Sequence, residues 1–533
     1  MMTSAKLRGK RRAVSLEEVL EARDRRVERQ EHMIASHRTP LLSITLNIPG
    51  NVKRTPLSTI YFHDKLKRLK TRLRAIGAEI EAEIVTSSPV GDEALLAVSR
   101  LSAISLKSLA MAMEEHTIAG RLLDVDVIDE EGELVKRVSI GATPRRCLLC
   151  DRPASLCGRS RAHSLKELTD KVTLMLEQAV QSMLLDEVVS MASKASSFEL
   201  MVSMKPGLVT YTDSGSHTDM DRFTFAKSQA SLLTYYRDCF LLGWDTIDDD
   251  KHILSLRLNG MEAEQRMFRA TGGINTHRGW IYLAGILSAA TGVIVSSMLR
   301  GNEPAQSANG VSTQNSRLSQ GVSCSRLYEG DGTPTQDRSV ETAAFLSDIA
   351  ASIAHALEES LESTIFEHIS QNIVNHQDEV LETIERPSSR TRLTGIRREA
   401  NNGFPSIFRV GLPILIRSSQ QGEDDNIAGQ RVIFALLATA EDTTLKKRGG
   451  LSAVKTVRSY VLSALTLESV EEDEALIRSA LALSDKALQA HLRALSKYFL
   501  DHHLSCGGVA DLLAGSYFAR DLCTLIGEIR DVF

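Results

Sequence analysis

Residues 41–47 read LLSITLN, apolar and polar in alternation, and stop at the Pro49-Gly50 turn; a period of two predicts a strand. The period becomes helical over residues 57–76, with Lys65, Arg68 and Arg72 on a basic face. Residues 82–86 read as a strand and 101–115 as a helix. Residues 122–128 and 134–140 read as a strand pair around the Glu131-Gly132 turn. A charged, solvent-facing helix over 16–33 precedes this alternation, which predicts an α/β unit. From Ser164 the helical period persists. Residues 165–193 form a long amphipathic helix at the junction, and further helices are predicted at 223–240, 253–269, 282–298, 341–363, 432–439, 475–499 and 509–519. No strand run follows Thr210, so the fold class is an α/β N-terminal domain over residues 1–182 and a larger all-α domain over 183–533.

Two segments qualify the pattern. Residues 281–299, IYLAGILSAATGVIVSSML, carry no charge for nineteen positions, about the shortest membrane span. The run is rich in Ala, Gly and Ser and lacks aromatic anchors at its far end, which predicts a buried bundle helix instead. Residues 300–339 are rich in Gly, Ser, Gln and Asn and predict a flexible surface insertion.

Composition adds less than its distribution. At 533 residues, with 43% hydrophobic and 25% charged positions, the chain has the make-up of an ordinary globular protein of two to four domains. Lys and Arg outnumber Asp and Glu by 30 to 24 over residues 1–180, and are outnumbered 33 to 44 afterwards. A basic first part suits polyanionic ligands or an acidic protein partner; neither a nucleic acid polymer nor a membrane is expected. Seven cysteines, an odd number, predict reduced thiols in the cytoplasm rather than a disulfide framework. Lys6, Arg8, Lys10, Arg11 and Arg12 have no apolar run behind them and read as a solvated arm, not a signal peptide.

Candidate chemistry concentrates in short polar windows. MKPGLVTYTDSGSHTDM (204–220) and ATGGINTHRG (270–279) pack glycine, histidine, hydroxyl and carboxylate groups where helices are expected to begin, and helix N-termini favour phosphate. Thr218 is expected to cap a helix starting near Asp219, with Asp221 returning the bond; His217 and Asp221, four apart, also suit an acid–base pair. Gly272 and Gly273 end one helix while Asn275, Thr276 and His277 open the next, a phosphate seat.

In the first domain, GRLLDVDV (120–127) sets Asp124 and Asp126 two apart on a strand, hence on one face. They can share Mg²⁺ with a phosphate, as in nucleotidyl transfer, or merely form the polar face of a half-exposed strand. Cys147, Cys150, Cys157 and His163 have the ligand types of a small Zn²⁺ site. The neighbouring Arg145, Arg146 and Arg161 are equally suited to diphosphate, leaving the cysteines as reduced structural thiols.

NIPGNVK (47–53), GRLLDVDVI (120–128) and RCLLCDRPASLCGRSRAHSLKEL (146–168) together resemble the apo-citrate lyase phosphoribosyl-dephospho-CoA transferase family over residues 15–175. The resemblance implies a nucleotidyltransferase-like domain that moves a phosphoribosyl-dephospho-CoA group from a triphosphate donor to a serine of the citrate lyase acyl carrier (gamma) subunit, releasing pyrophosphate. Asp124 and Asp126 would then be the metal pair, and Arg121, Arg145, Arg146 and Arg161 the donor-phosphate contacts.

Later windows, GIRREANNGFP (395–405), DTTLKKRGG (442–450) and GGVADLLA (507–514), repeat the pattern of charges at glycine-relieved helix starts. With KPGLV, GSHTDMD and TGGINTHRG they resemble the triphosphoribosyl-dephospho-CoA synthase family over residues 185–525. The chain departs from that pattern at Arg398, at Thr444 and over residues 506–509. The resemblance implies that a ribose hydroxyl of 3'-dephospho-CoA displaces adenine from ATP. Asp219, Asp221, Asp442 and Asp511 would serve metal binding and charge stabilisation, with Mg²⁺ at Asp219 and Asp221; Lys205, Arg397 and Arg448 would serve the triphosphate; His217 and His277 would serve acid–base work or adenine. Two resemblances in one chain imply a bifunctional transferase. The rivals are the same chemistry on the malonate decarboxylase carrier and a non-catalytic scaffold that binds carrier and nucleotides.

Overall fold

Ser15 and Glu18 close a reciprocal capping box at the start of α1 (Leu16–His37), and Arg38 ends it in the left-handed region. The computed structural model describes residues 12–141, 143, 145–245, 250–300, 335–359 and 393–532. The chain divides into two units, residues 1–184 with 531–533, and residues 185–530.

The first unit is built on a four-stranded antiparallel sheet of order β2-β3-β1-β4, from β1 (Leu41–Leu46), β2 (Glu79–Ser88), β3 (Gly91–Ser99) and β4 (Leu123–Ile128). Met33 of α1 packs on Leu41, Leu95, Ala97 and Ile128, and Arg29 donates to the buried Glu93 of β3 at 2.6 Å. Asp92 points the other way, as strand alternation requires, and accepts from Thr59 of α2 (Pro56–Ala75) at 2.7 Å. β3 was not expected. Its run EALLAVS is apolar without alternation because a central strand covered on both faces has no solvent side to mark.

The expected strand over 134–140 is corrected: only Leu134 bridges to Ile128, and Arg137–Ile140 is a 3-10 turn. Further along β4 the edge is already taken. Glu114 of α3 (Ala103–Glu115) accepts from the Val125 N–H at 2.9 Å, and Lys107 donates to the Val125 carbonyl at 3.0 Å. Two buried side chains thus close the strand edge that another strand would have covered. The short α4 (Ala154–Ser160) follows, and then α5 (Leu165–Met201), in which the division between the units falls.

The described residues of the second unit are helical: α6 (Arg222–Ser231), α7 (Leu233–Trp244), α8 (Asp250–Thr271), α9 (Arg278–Arg300), α10 (Thr335–Glu359), α11 (Gly395–Asn401), a π-helical turn (Ser406–Gly411), α12 (Leu412–Gln420), α13 (Asp425–Thr439), α14 (Thr443–Ala464), α15 (Asp473–Ala482), α16 (Asp485–Asp501) and α17 (Gly507–Arg530). Two helices expected to be continuous are broken. Residues 223–240 divide at Leu232, whose φ is −102° and ψ −6°. Residues 475–499 divide at Leu483, which is extended; buried Arg431 takes the freed carbonyls of Ala480 and Leu483, both at 2.8 Å. Most of the insertion expected over 300–339 lies outside the described residues.

Helices Arg278–Arg300 and Val340–Glu358 are each long and apolar enough to cross a membrane, but the apolar window of the first is 83% buried within the protein. Its small residues let α7 approach closely. A Cβ on Gly243 would meet the Ala289 carbonyl oxygen at 1.9 Å, and one on Gly292 the Phe240 carbonyl oxygen at 2.3 Å. Backbone cannot yield as a flexible side chain does. Gly243→Ala is therefore expected to destabilise this unit by about 1–3 kcal/mol, read as a lower denaturation midpoint.

Candidate functional site

In the first unit, antiparallel register pairs Asp126 with Ser43 and Asp124 with Thr45, so both aspartates project from the same sheet face as Leu41. Arg145 binds Asp124 Oδ1 at 2.9 Å and also reaches Glu114, which Arg137 shares. Burial, then the charge of Asp124, raises the Asp126 carboxyl above its ordinary range. Burial lowers the Lys107 ammonium, which feels Asp126. The two carboxylates disfavour joint ionisation and share one face, and they could hold a divalent ion if it displaced Arg145 from Asp124. Gly120 is required here by close approach: a Cβ would meet the Met113 carbonyl oxygen at 2.7 Å. Lys107 and Glu114 were not anticipated, because on a helix they look like ordinary surface charges.

The other arginines stand apart. Arg121 donates to the Arg146 and Cys147 carbonyls, both at 2.7 Å, and holds that turn by its backbone. The Arg146 side chain is exposed, 3.7 Å from Asp151, and Arg161 caps α4 at φ 47° on the surface. Between them the ligand atoms of Cys147, Cys150, Cys157 and His163 lie within 4.8 Å of one another, a set that could hold a metal ion such as Zn²⁺.

The second unit contains a cavity of about 1840 Å³. The N-termini of α9, α14 and α17 open onto it through Thr276 and His277, Thr443 and Thr444, and Gly507 and Gly508. Among the expected residues, His217, Asp219, Asn275, Thr276, His277, Arg397, Arg448 and Asp511 line its wall. Asn275 also caps α9, accepting from the Arg278 N–H at 3.2 Å.

Asp511 is half-buried on the wall of this cavity. Its carboxyl is raised well above the usual range by burial, then by Glu199 and Asp442, although the Trp280 N–H bonds to it. His217 moves the other way. Burial, then Arg448, lowers its pKa, and it contacts Ser505 Oγ at 3.0 Å and Asp219 Oδ1 at 3.7 Å. One cavity thus holds a carboxyl whose environment favours its protonated form and an imidazole whose environment favours its neutral form.

His277 is buried, with Nδ1 2.7 Å from Ser228 Oγ and Nε2 without a hydrogen-bond partner among the described residues. Burial, then Lys205, lowers it to about 3. The unfolded chain therefore takes up a proton that the folded one refuses as pH falls below about 6.5. That part of the stability is complete above 6.5 and is lost on the way down to 3. Between pH 6.5 and 5 the stability advantage of wild type over His277→Gln is expected to shrink by up to about 1.4 kcal/mol per pH unit, measured by urea denaturation.

Other expected residues have structural partners off the wall. Asp221, not Thr218, caps α6, in a capping box with Thr224, so the helix begins three residues later than expected. Asp442 joins two helix starts, accepting from Leu445 N–H at 2.8 Å and Val509 N–H at 2.9 Å. Lys205 is buried against Glu199, bonding its carbonyl at 2.6 Å and its carboxylate. Gly272 and Gly273 end α8 at φ 70° and 90°, exposed. Glu199, Arg257 and Glu264 line the cavity without having been anticipated. Arg257 is lowered to about 10 by burial, then by Arg397, so two guanidiniums face a common region. Arg257 and Glu264 lie inside an amphipathic helix, where sequence gives no sign that its polar side looks inward.

Residues 14–179 match the family model of apo-citrate lyase phosphoribosyl-dephospho-CoA transferase, and residues 185–529 that of ATP:dephospho-CoA triphosphoribosyl transferase. Protein CitXG of Haemophilus influenzae is 27% identical over 508 residues, covering 95% of this chain and 96% of the relative. Protein CitXG of Leuconostoc mesenteroides is 26% identical over 530 residues, covering 97% and 98%. The 2-(5''-triphosphoribosyl)-3'-dephosphocoenzyme-A synthase of Klebsiella pneumoniae is 30% identical over 335 residues, covering 62% of this chain and 90% of the relative.

Proposed function

The chain belongs to the ATP:dephospho-CoA triphosphoribosyl transferase family and carries ahead of that region an apo-citrate lyase phosphoribosyl-dephospho-CoA transferase region, and from this premise we propose that it makes a prosthetic group and then attaches it. It is a bifunctional transferase with chemistry on ATP and dephospho-CoA. In the second unit a ribose hydroxyl of 3'-dephospho-CoA attacks C1' of the ATP ribose and the bond to adenine breaks. The products are 2'-(5''-triphosphoribosyl)-3'-dephospho-CoA and adenine. In the first unit a serine hydroxyl of the citrate lyase acyl carrier attacks the α-phosphorus of that triphosphate, and pyrophosphate leaves. Free thiols at six described cysteines suit the cytoplasm as its location.

The observation that carries this reading is the cavity, lined by three helix N-termini, Arg397 and Arg448. The N-termini and guanidiniums hold the triphosphate. Neutral His217, beside Asp219, takes the proton of the attacking hydroxyl, and Asp511, whose protonated form burial favours, gives one to the departing adenine. Asp219 also balances the positive charge that develops on the ribose. Asp442 and Lys205 act through position: one ties two helix starts together, the other, from behind the wall, pairs with Glu199 in it.

In the first unit Asp124 and Asp126 are the residues that would hold Mg²⁺, which when bound would neutralise the donor phosphates. Arg145, anchored on Asp124, faces the same phosphates.

The test is direct. Protein, ATP, 3'-dephospho-CoA and Mg²⁺ should yield adenine and the triphosphoribosyl product in equal amounts; added apo-carrier should gain the phosphoribosyl-dephospho-CoA mass on one serine. Absence of adenine across a range of Mg²⁺ would sink the reading in favour of a binding scaffold. Modification of the malonate decarboxylase carrier alone would keep the chemistry and change the partner.

A further inference from the structure

We infer that Cys147, Cys150, Cys157 and His163 hold a structural zinc ion, and that this zinc fixes the arginine-bearing turn over the Asp124–Asp126 pair. Cys150 Sγ lies 3.5 Å from Cys157 Sγ and 3.4 Å from His163 Nε2. A disulfide would bring sulfurs to about 2.05 Å, so these are separate thiols. Tetrahedral zinc, with bonds of about 2.3 Å to sulfur and about 2.0 Å to nitrogen, sets sulfur–sulfur edges of about 3.8 Å and sulfur–nitrogen edges of about 3.5 Å. The two short spacings fall within about 0.3 Å of those edges, and all four ligand atoms lie inside 4.8 Å. Three sulfurs and one imidazole form a closed structural set, and its softness selects zinc over the magnesium expected at the aspartates.

The segment needs such a centre. Its secondary structure between 145 and 163 is one bridge, Arg146 to Pro153, and the seven-residue α4, which has no side-chain cap. Leu156 is 54% exposed, so little apolar surface is buried to order the turn. Zinc binding releases the thiol protons to solvent and leaves a unit with one net negative charge. Arg152, whose side chain bonds Cys150, lies against it.

The turn is tied to the neighbourhood of the aspartates at two points. Arg121 grips the carbonyls of Arg146 and Cys147, and Arg145 extends to Asp124. Zinc at Cys147 thus holds the backbone from which Arg145 and Arg146 project. Arg145 is a positioned residue, and the metal positions it.

The full chain, purified in reductant without chelator, should carry one zinc by plasma mass spectrometry. Stripped reduced protein should recover one tightly held equivalent from ZnCl₂, which excess MgCl₂ neither prevents nor displaces. Cys150→Ser and His163→Ala should lose the ion, while Cys239→Ser, in the other unit, keeps it. Amide exchange of residues 145–161 should quicken about tenfold or more on stripping and return with zinc. Wild type that neither retains nor takes up zinc overturns the site, even if the variants fail to fold, and Cys150→Ser that keeps full zinc does the same. Unchanged exchange of 145–161 after stripping overturns the positioning role. None of these readouts depends on enzymatic activity, so they stand or fall apart from the proposed function.

Discussion

Asp126→Asn is expected to lower transfer of the prosthetic group to the acyl carrier by about 10³-fold or more while adenine release continues at the wild-type rate. The change is nearly isosteric, and the side chain is not a hydrogen-bond partner of α3, whose Lys107 and Glu114 bind the Val125 backbone instead. What it removes is one of two carboxylates on a common face. Its neighbour Asp124 then keeps a single charge already engaged by Arg145 at 2.9 Å. Supplying the purified triphosphoribosyl intermediate separates the steps: the variant should fail with supplied intermediate as it does with ATP and dephospho-CoA. Added Mg²⁺ to tens of millimolar should recover part of the loss if the defect is affinity for the ion. Equal loss of both activities would signal damage to the fold, and retention of carrier loading would remove the aspartate pair from the chemistry.

The periodicities that carried fold information were those in which polar residues alternate with apolar ones, even where both faces are covered, as over residues 41–44 of β1. β1 and β4 alternate and were legible; β3, covered on both faces, offered an unbroken apolar run and was not. The 134–140 segment alternates as a strand should, yet Glu114 and Lys107 occupy the edge where it would pair. Such competition is tertiary and leaves no local mark. The breaks at Leu232 and Leu483 are similar, since the second is stabilised by Arg431 from a distant helix.

For the candidate sites, glycine and hydroxyl groups at helix starts were visible because N-terminal backbone imposes its own residue preferences. Which of those starts share a cavity was not visible. Asp221 and Asp442 have the same sequence signature as Asp219 and Asp511, but one pair caps helices while the other lines the lumen. Glu264 and Arg257 show the converse, because a helix interior has no preference that marks a residue as facing substrate.

Asp511→Asn is expected to reduce adenine release by about 10²–10⁴-fold, with carrier loading from supplied intermediate intact. The argument joins position to protonation. Asp511 is the carboxyl in the cavity that burial, Glu199 and Asp442 raise well above the usual range, which favours the protonated form that a general acid needs. His217, lowered by burial and Arg448, is free of its proton in the same range. The pH profile of wild-type kcat/KM should therefore have an acid limb below about 6.5, where His217 protonates, and an alkaline limb where Asp511 ionises. Asparagine cannot ionise, so residual activity in Asp511→Asn should lose the alkaline limb and keep the acid one; His217→Gln should do the reverse. Because Asp511 also accepts from the Trp280 N–H, a simple packing defect could lower the rate, but it would leave both limbs in place. Loss of rate with an unchanged profile would therefore assign Asp511 to holding the α9 start, and the proton for adenine would have to come from another group in the cavity.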